Sequence, residues 1–249
     1  MSRRWITAAL LATVLPAAAL AQAVTPAITK ALADPARPAA DKARDGARHA
    51  GALLAFAGVK PGDKVADFIM GSGYWTRILS GVVGPKGRVY AYQPAQFIQF
   101  RPAYGEEQKT AVAGRPNVTP LSMGLGDVAF PEQLDAIITV QNYHDLHLSM
   151  VPAGFAGSIA KKLFDSLKPG GTLLVIDHVS NPDPNFTSPQ AIHRIDPAAA
   201  RKEIEAAGFV FDGESALLRR DDDPRTASVF DASIRGKTDQ FVYRFRKPR

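Results

Sequence analysis

A chain of 249 residues without cysteine can form no disulfide, no thiolate metal site and no cysteine nucleophile. Its formal charge of +6 comes from dispersed basic residues, and its one dense charge cluster, Asp221-Asp222-Asp223, is acidic, so no basic stripe points to a nucleic-acid partner. Hydrophobic content of 46% is enough for a core, and no internal stretch is apolar for long enough to span a bilayer.

Two arginines in Met1–Arg4, an apolar Ala-rich run at Trp5–Leu20 and the small-x-small pattern Ala19-Leu20-Ala21 follow the order of a cleavable export signal. Pro16 and the shortness of the run argue against an uncleaved anchor. Cleavage after Ala21, with Ala23 as a second cut site, would leave one ordinary α/β domain in the periplasm, with no stable membrane span. Ser2-Arg3-Arg4 makes a poor twin-arginine match, because Thr7 stands where an apolar residue is expected. Residues 22–40, rich in Ala and Pro, read as a flexible arm, and residues 41–249 as the domain itself.

Helical spacing of Ala47, Ala50, Leu53, Leu54 and Ala57 predicts a helix over Asp41–Ala57. Short apolar runs then predict strands at Lys64–Ile69, Arg88–Tyr92, Val118–Leu121, Asp135–Val140 and Thr172–Asp177. Helices are expected between them at Trp75–Val83, Gln96–Val112 and Ala153–Leu167, and afterwards at Pro197–Ala207. The alternation predicts an α/β fold with a doubly wound, mostly parallel Rossmann-like sheet. Phe209–Leu217 and Asp239–Phe245, with no helix between them, predict a C-terminal antiparallel strand pair.

Ligands of such sheets bind outside the carboxyl ends of the strands, where strand order reverses. The first such end reads Asp67-Phe68-Ile69-Met70-Gly71-Ser72-Gly73, in which Gly71 and Gly73 allow a tight turn against a ligand. Val65-Ala66-Asp67 through Gly73 and the second strand end twenty residues on resemble the first two motifs of class I S-adenosylmethionine (SAM)-dependent methyltransferases. Leu134-Asp135-Ala136-Ile137-Ile138 resembles their fourth strand, and Leu163–Asp177, with Lys168-Pro169-Gly170-Gly171 at its centre, their fifth helix-and-strand unit. The likeness runs from about Asp41 to Phe245 and is narrower still to exported predicted methyltransferases.

The resemblance implies SAM as cofactor, held by Asp67, Gly71, Ser72, Gly73, Gln93, Asp127 and Asn142. Two positions depart from its pattern. Ile69 replaces the first glycine, and Gln93 replaces the acid that grips both ribose hydroxyls, leaving neutral hydrogen bonds about half as strong as charge-assisted ones.

His144 and His147 follow the fourth strand, and His178 and His193 the fifth, so all four stand at the ligand-binding edge. His144 with Asp145 is the expected proton-accepting pair and His193 a second candidate, because imidazole titrates near operating pH. These three residues are expected to converge beside the Gly71–Gly73 turn. His144-x-x-His147 offers a weaker zinc reading without a third ligand fixed by spacing, so no metal is assigned. The segment Arg219–Thr238 reads either as a lid or as a solvated hairpin tip. The expected function is SAM-dependent methyl transfer to an oxygen or nitrogen of a small molecule. Its rival is an exported, non-catalytic ligand-binding protein on the same scaffold, and metal-assisted hydrolysis rests on the histidine pair alone.

Overall fold

The computed structural model describes residues 23–249, so the expected signal at Met1–Ala21 lies outside the described residues. No helix among the described residues is long and apolar enough to cross a membrane. The strands are β1 (Lys64–Phe68), β2 (Arg88–Tyr92), β3 (Val118–Leu121), β4 (Leu134–Val140), β5 (Leu167–His178), β6 (Val210–Glu214) and β7 (Gln240–Arg246). They form one sheet in the order β3-β2-β1-β4-β5-β7-β6. The first five are parallel, and β7 lies antiparallel to both β5 and β6.

Helices cover both faces of the sheet, which is why the strand sequences are nearly continuous apolar runs. They are α1 (Pro26–Leu32), α2 (Ala39–Lys42), α3 (Asp45–Arg48), α4 (Ala50–Ala57), α5 (Tyr74–Val83), α6 (Ala95–Phe100), α7 (Ala103–Val112), α8 (Phe155–Ser166), α9 (Ser188–Ile192) and α10 (Pro197–Ala206). Alternate strand residues feed two cores: Val65, Leu174 and Ile176 pack with α1, α4 and α5, while Ala66, Phe68, Leu173 and Val175 pack with α8 and α10.

Several boundaries differ from the expectation. The helix expected over Asp41–Ala57 is cut into α2, α3 and α4, with His49 in the left-handed region at φ 46°. The helix expected over Gln96–Val112 breaks at Pro102, and Arg101 before it is extended, since a proline ring crowds a helical predecessor. β5 starts earlier than Thr172 because Lys168–Gly171 bulges: Leu134 pairs with Leu167, but Ala136 already pairs with Thr172.

The flexible arm expected at 22–40 is corrected. Thr25 caps α1 by accepting the Ile28 N–H at 3.3 Å, Pro26 occupies the first turn, and Ile28 and Ala31 are buried. A Cβ added to Gly81 on α5 would lie 2.8 Å from the Ala31 Cβ, so the two helices touch directly. Arg37 then ties the following turn to Asp45 through a two-pronged ion pair at 2.6 and 2.8 Å.

Candidate active site

β1 is flanked by β2 and β4, so strand order reverses there and the ends of β1, β4 and β5 open on one cleft. The turn after β1 is held from three sides. Ile69 takes a left-handed φ of 63°, an unusual conformation for a β-branched residue. Asn142 Nδ2 donates to the Ile69 carbonyl at 2.9 Å and to that of Val140 at 2.7 Å, and the Gly71 N–H donates to Gln93 Oε1 at 3.0 Å. Met70 donates its N–H to the Tyr92 carbonyl at 2.9 Å.

The two glycines of this turn do different work. Gly71 has φ 54°, and a Cβ there would meet nothing within 4 Å. Gly73 has φ 80°, and its Cβ would fall 2.3 Å from the Ala111 Cβ on α7, so this glycine serves packing rather than close approach to a ligand. Asp67 is buried and accepts the Thr76 hydroxyl at 2.5 Å. Burial pushes its pKa up to about 6, against the pull of the Thr76 hydrogen bonds and of Arg77 and Arg48.

A cavity of about 140 Å³ lies against this turn, lined by Asp67, Gly71, Ser72, Trp75, Asn142 and Arg48 among others. Arg48 was not anticipated. Its guanidinium lies over the Tyr74 ring at 4.6 Å, and burial lowers its pKa. Asp41 is taken by Arg44 and Arg77, and Asp45 by Arg37 and Tyr74, which leaves Arg48 without an ion pair among the described residues.

Two expected cofactor contacts stand elsewhere. Gln93 is wholly buried, turns its carbonyl back onto Gly71, leaves its Nε2 without a partner among the described residues, and lines neither this cavity nor its neighbour. Asp127 is the exposed end of a 3-10 turn whose Leu125 is buried, and it too lies outside both linings. In its place Gln96 lines the neighbouring cavity and accepts the Leu125 N–H at 3.0 Å.

That neighbouring cavity measures about 340 Å³ and shares Gln141 and Asn142 with the first. Its walls are Phe97, Phe100, Tyr104, Leu148, Met150, Val229 and Phe230, and its polar floor is His144, Asp145, His178 and His193. Among the described residues six large apolar side chains are exposed, and three of them, Phe100, Met150 and Phe230, ring this cavity. Such a mouth favours a ligand with an apolar body.

The structure brings His144, Asp145 and His193 together. His144 Nε2 lies 3.2 Å and His193 Nδ1 3.8 Å from Asp145 Oδ1. Behind them Asp177, with no exposed surface, accepts His144 Nδ1–H and the His178 N–H on Oδ1, and the His144 N–H on Oδ2, each at 2.8 Å. Burial alone would lower the His144 pKa, but Asp177 and then Asp145 push it up to about 9. The two carboxylates thus favour the protonated ring, which makes His144 a poorer proton acceptor than its place after β4 suggested. His178 goes the other way: burial, with the charges of His144 and Arg194, brings it down to about 4 and keeps it neutral. It pairs with the Thr238 hydroxyl at 2.7 Å.

His147 faces away, bonded to Glu203 at 3.1 Å and stacked on Phe186 at 3.9 Å, so the His144-x-x-His147 zinc reading has no geometry behind it. The segment Arg219–Thr238 is anchored at Asp223 and Val229, while residues 231–237 remain largely exposed. Arg194, wholly buried, binds Asp223 through two bonds of 2.7 and 3.1 Å and the Val179 and Ala227 carbonyls, fastening Val229 and Phe230 over the cavity.

No protein-family model matches the chain. It is 27% identical over 117 residues to the fibrillarin-like rRNA/tRNA 2'-O-methyltransferase of Aeropyrum pernix, a match covering 47% of this chain and 46% of that protein. The chain thus spans about half the length of that curated relative. Among solved structures it is similar to a SAM-dependent methyltransferase from Aquifex aeolicus, with 22% identity, a TM-score of 0.59, and coverage of 88% of this chain and 96% of that one. It is also similar to the [4+2]-cyclase SpnF, with 16% identity, a TM-score of 0.57, and coverage of 81% and 80%. The chain has the fold of class I SAM-dependent methyltransferases, and the cyclase shows that this fold alone does not settle the reaction.

Proposed function

We propose that the protein transfers a methyl group from SAM to an oxygen or nitrogen of a small molecule with an apolar body. The observation that carries this reading is the junction of two cavities at Gln141 and Asn142: one bounded by the glycine turn and Arg48, the other floored by the histidine–aspartate cluster. Together they fall in the usual size range of ligand sites, roughly 300–1,000 Å³.

The residues present fit a SAM-like group. The open space beside Gly71 admits close backbone approach, and Arg48, without an ion pair among the described residues, is a cation for an amino-acid carboxylate. When bound, SAM supplies an electrophilic methyl group. The protein's share is to hold the acceptor in line, which is worth roughly 7–11 kcal/mol at best. The apolar walls exclude water from the acceptor. His193, more open to the cavity than His144, takes the acceptor's proton, and Asp145 stabilises the imidazolium that results.

Calorimetry with SAM and S-adenosylhomocysteine tests the reading directly. Wild type is expected to bind both, and Arg48→Met to lose about 1.5–3 kcal/mol of affinity, the worth of a charge-assisted bond. A second reading, the non-catalytic binding protein, is favoured by the full burial of Gln93. Absence of heat with both nucleosides from folded protein would select it.

The motif at Met1–Ala21 supports placement outside the cytoplasm. Mass spectrometry of envelope-derived protein is expected to find a new terminus at Gln22 or Val24, and an intact Met1 on cytoplasmic protein would refute export.

A further inference from the structure

We propose that His144, Asp145 and His193 form a binding site for one divalent first-row metal ion at the floor of the larger cavity, with zinc as its natural probe. Sequence spacing does not reveal this trio, since its third member comes from the end of α9, far along the chain. In the fold, one candidate ligand atom from each residue lies within 4.8 Å of the others.

Metal–ligand bonds of about 2.0–2.2 Å place neighbouring ligand atoms about 3–3.5 Å apart. His144 Nε2 and Asp145 Oδ1, at 3.2 Å, already satisfy that spacing. His193 Nδ1, at 3.8 Å from the same oxygen, needs to close in on it by a few tenths of an ångström, and the two imidazole nitrogens lie within 4.8 Å of each other. Two imidazoles and one carboxylate are a donor set suited to zinc, iron and their neighbours, and unsuited to magnesium or calcium.

An independent feature points the same way. Ligating histidines almost always donate their other ring nitrogen to a carboxylate or carbonyl. Asp177 provides this for His144: it accepts Nδ1–H at 2.8 Å while fixing the ring's own backbone N–H. Nε2 is thereby aimed at Asp145 and His193, and a metal bound there would displace the proton from Nε2 while Nδ1–H stays on Asp177.

Three protein ligands leave at least one coordination position, and the space beside this trio is the apolar cavity. That is the plan of sites that bind a substrate atom, as opposed to closed four-ligand structural sites. The inference deepens the proposed function, because a metal there would hold the acceptor atom directly and His193 would serve as ligand instead of proton acceptor. Metal binding itself does not depend on the methyl donor.

The test uses the untagged full chain, stripped with EDTA and titrated with zinc chloride in a calorimeter. One zinc per chain is expected. Asp145→Asn and His193→Gln should each weaken binding at least tenfold, and Asp177→Asn about 10–100-fold, the usual effect of losing a histidine's supporting partner. His147→Gln should leave binding unchanged. Cobalt(II) should give visible absorption bands that His193→Gln abolishes, a readout that stands even if Asp145→Asn does not fold. Lack of stoichiometric zinc, equal affinity in wild type and His193→Gln, or loss of binding in His147→Gln would each overturn the site. SAM calorimetry on the stripped protein reports separately on the proposed function.

Discussion

Asp223→Ala is expected to lower the unfolding free energy by about 3–5 kcal/mol, the cost of leaving a buried charge without its partner. Arg194 is wholly buried, and half of its four described bonds end on this carboxylate. The same carboxylate accepts the backbone N–H groups of Arg225 at 2.9 Å and Asp239 at 2.6 Å, so its removal releases both ends of the segment over the cavity. Val229 and Phe230 would lose their anchorage, and ligand affinity should fall along with stability. Asp222→Ala, one residue away and exposed, should change stability by no more than about 0.5 kcal/mol. Urea unfolding of the two variants reads the difference. Equal midpoints would show that the buried pair does not hold the segment.

Asp177→Asn is expected to lower turnover by about 10–100-fold and stability by at least about 1–3 kcal/mol. Asp177 receives three donors on two oxygens, and an asparagine has one acceptor oxygen and one amide nitrogen. Whichever way that amide turns, at least one donor faces another donor. With Oδ1 kept as the acceptor, the His144 N–H is stranded; with the amide flipped, the His144 ring and the His178 N–H lose their partner. Asp177→Ala strands all three and should unfold more readily than Asp177→Asn. Release of S-adenosylhomocysteine with a panel of phenols and amines measures turnover, and thermal melts measure stability. A variant with normal turnover would remove Asp177 from the site's machinery and leave it a purely structural carboxylate.

The architecture was legible from local pattern. Continuous apolar strands, helical spacing between them and the glycine turn after β1 specify a parallel sheet, because burying both faces of such a sheet demands that patterning. The same logic placed His144 and His178 at strand ends. Where the sequence misled, a short or interrupted element was the cause: α1 hid among Ala and Pro, and Pro102 and His49 broke helices whose apolar spacing ran on.

The allocation of partners was decided only by the tertiary structure. Three adjacent acids look alike in sequence, yet Asp223 is buried against Arg194 while Asp221 and Asp222 remain exposed. Gly71 and Gly73 look alike too, and only the approach of Ala111 on α7 distinguishes the open one from the closed one. Among the described residues Arg48 stands unpaired because Asp41 and Asp45 are claimed by other groups, and the His144 ring is pulled toward its protonated form because Asp177 arrives from a neighbouring strand. Burial and the nearest charge set these properties, and both come from residues distant in the chain, beyond the reach of any periodicity.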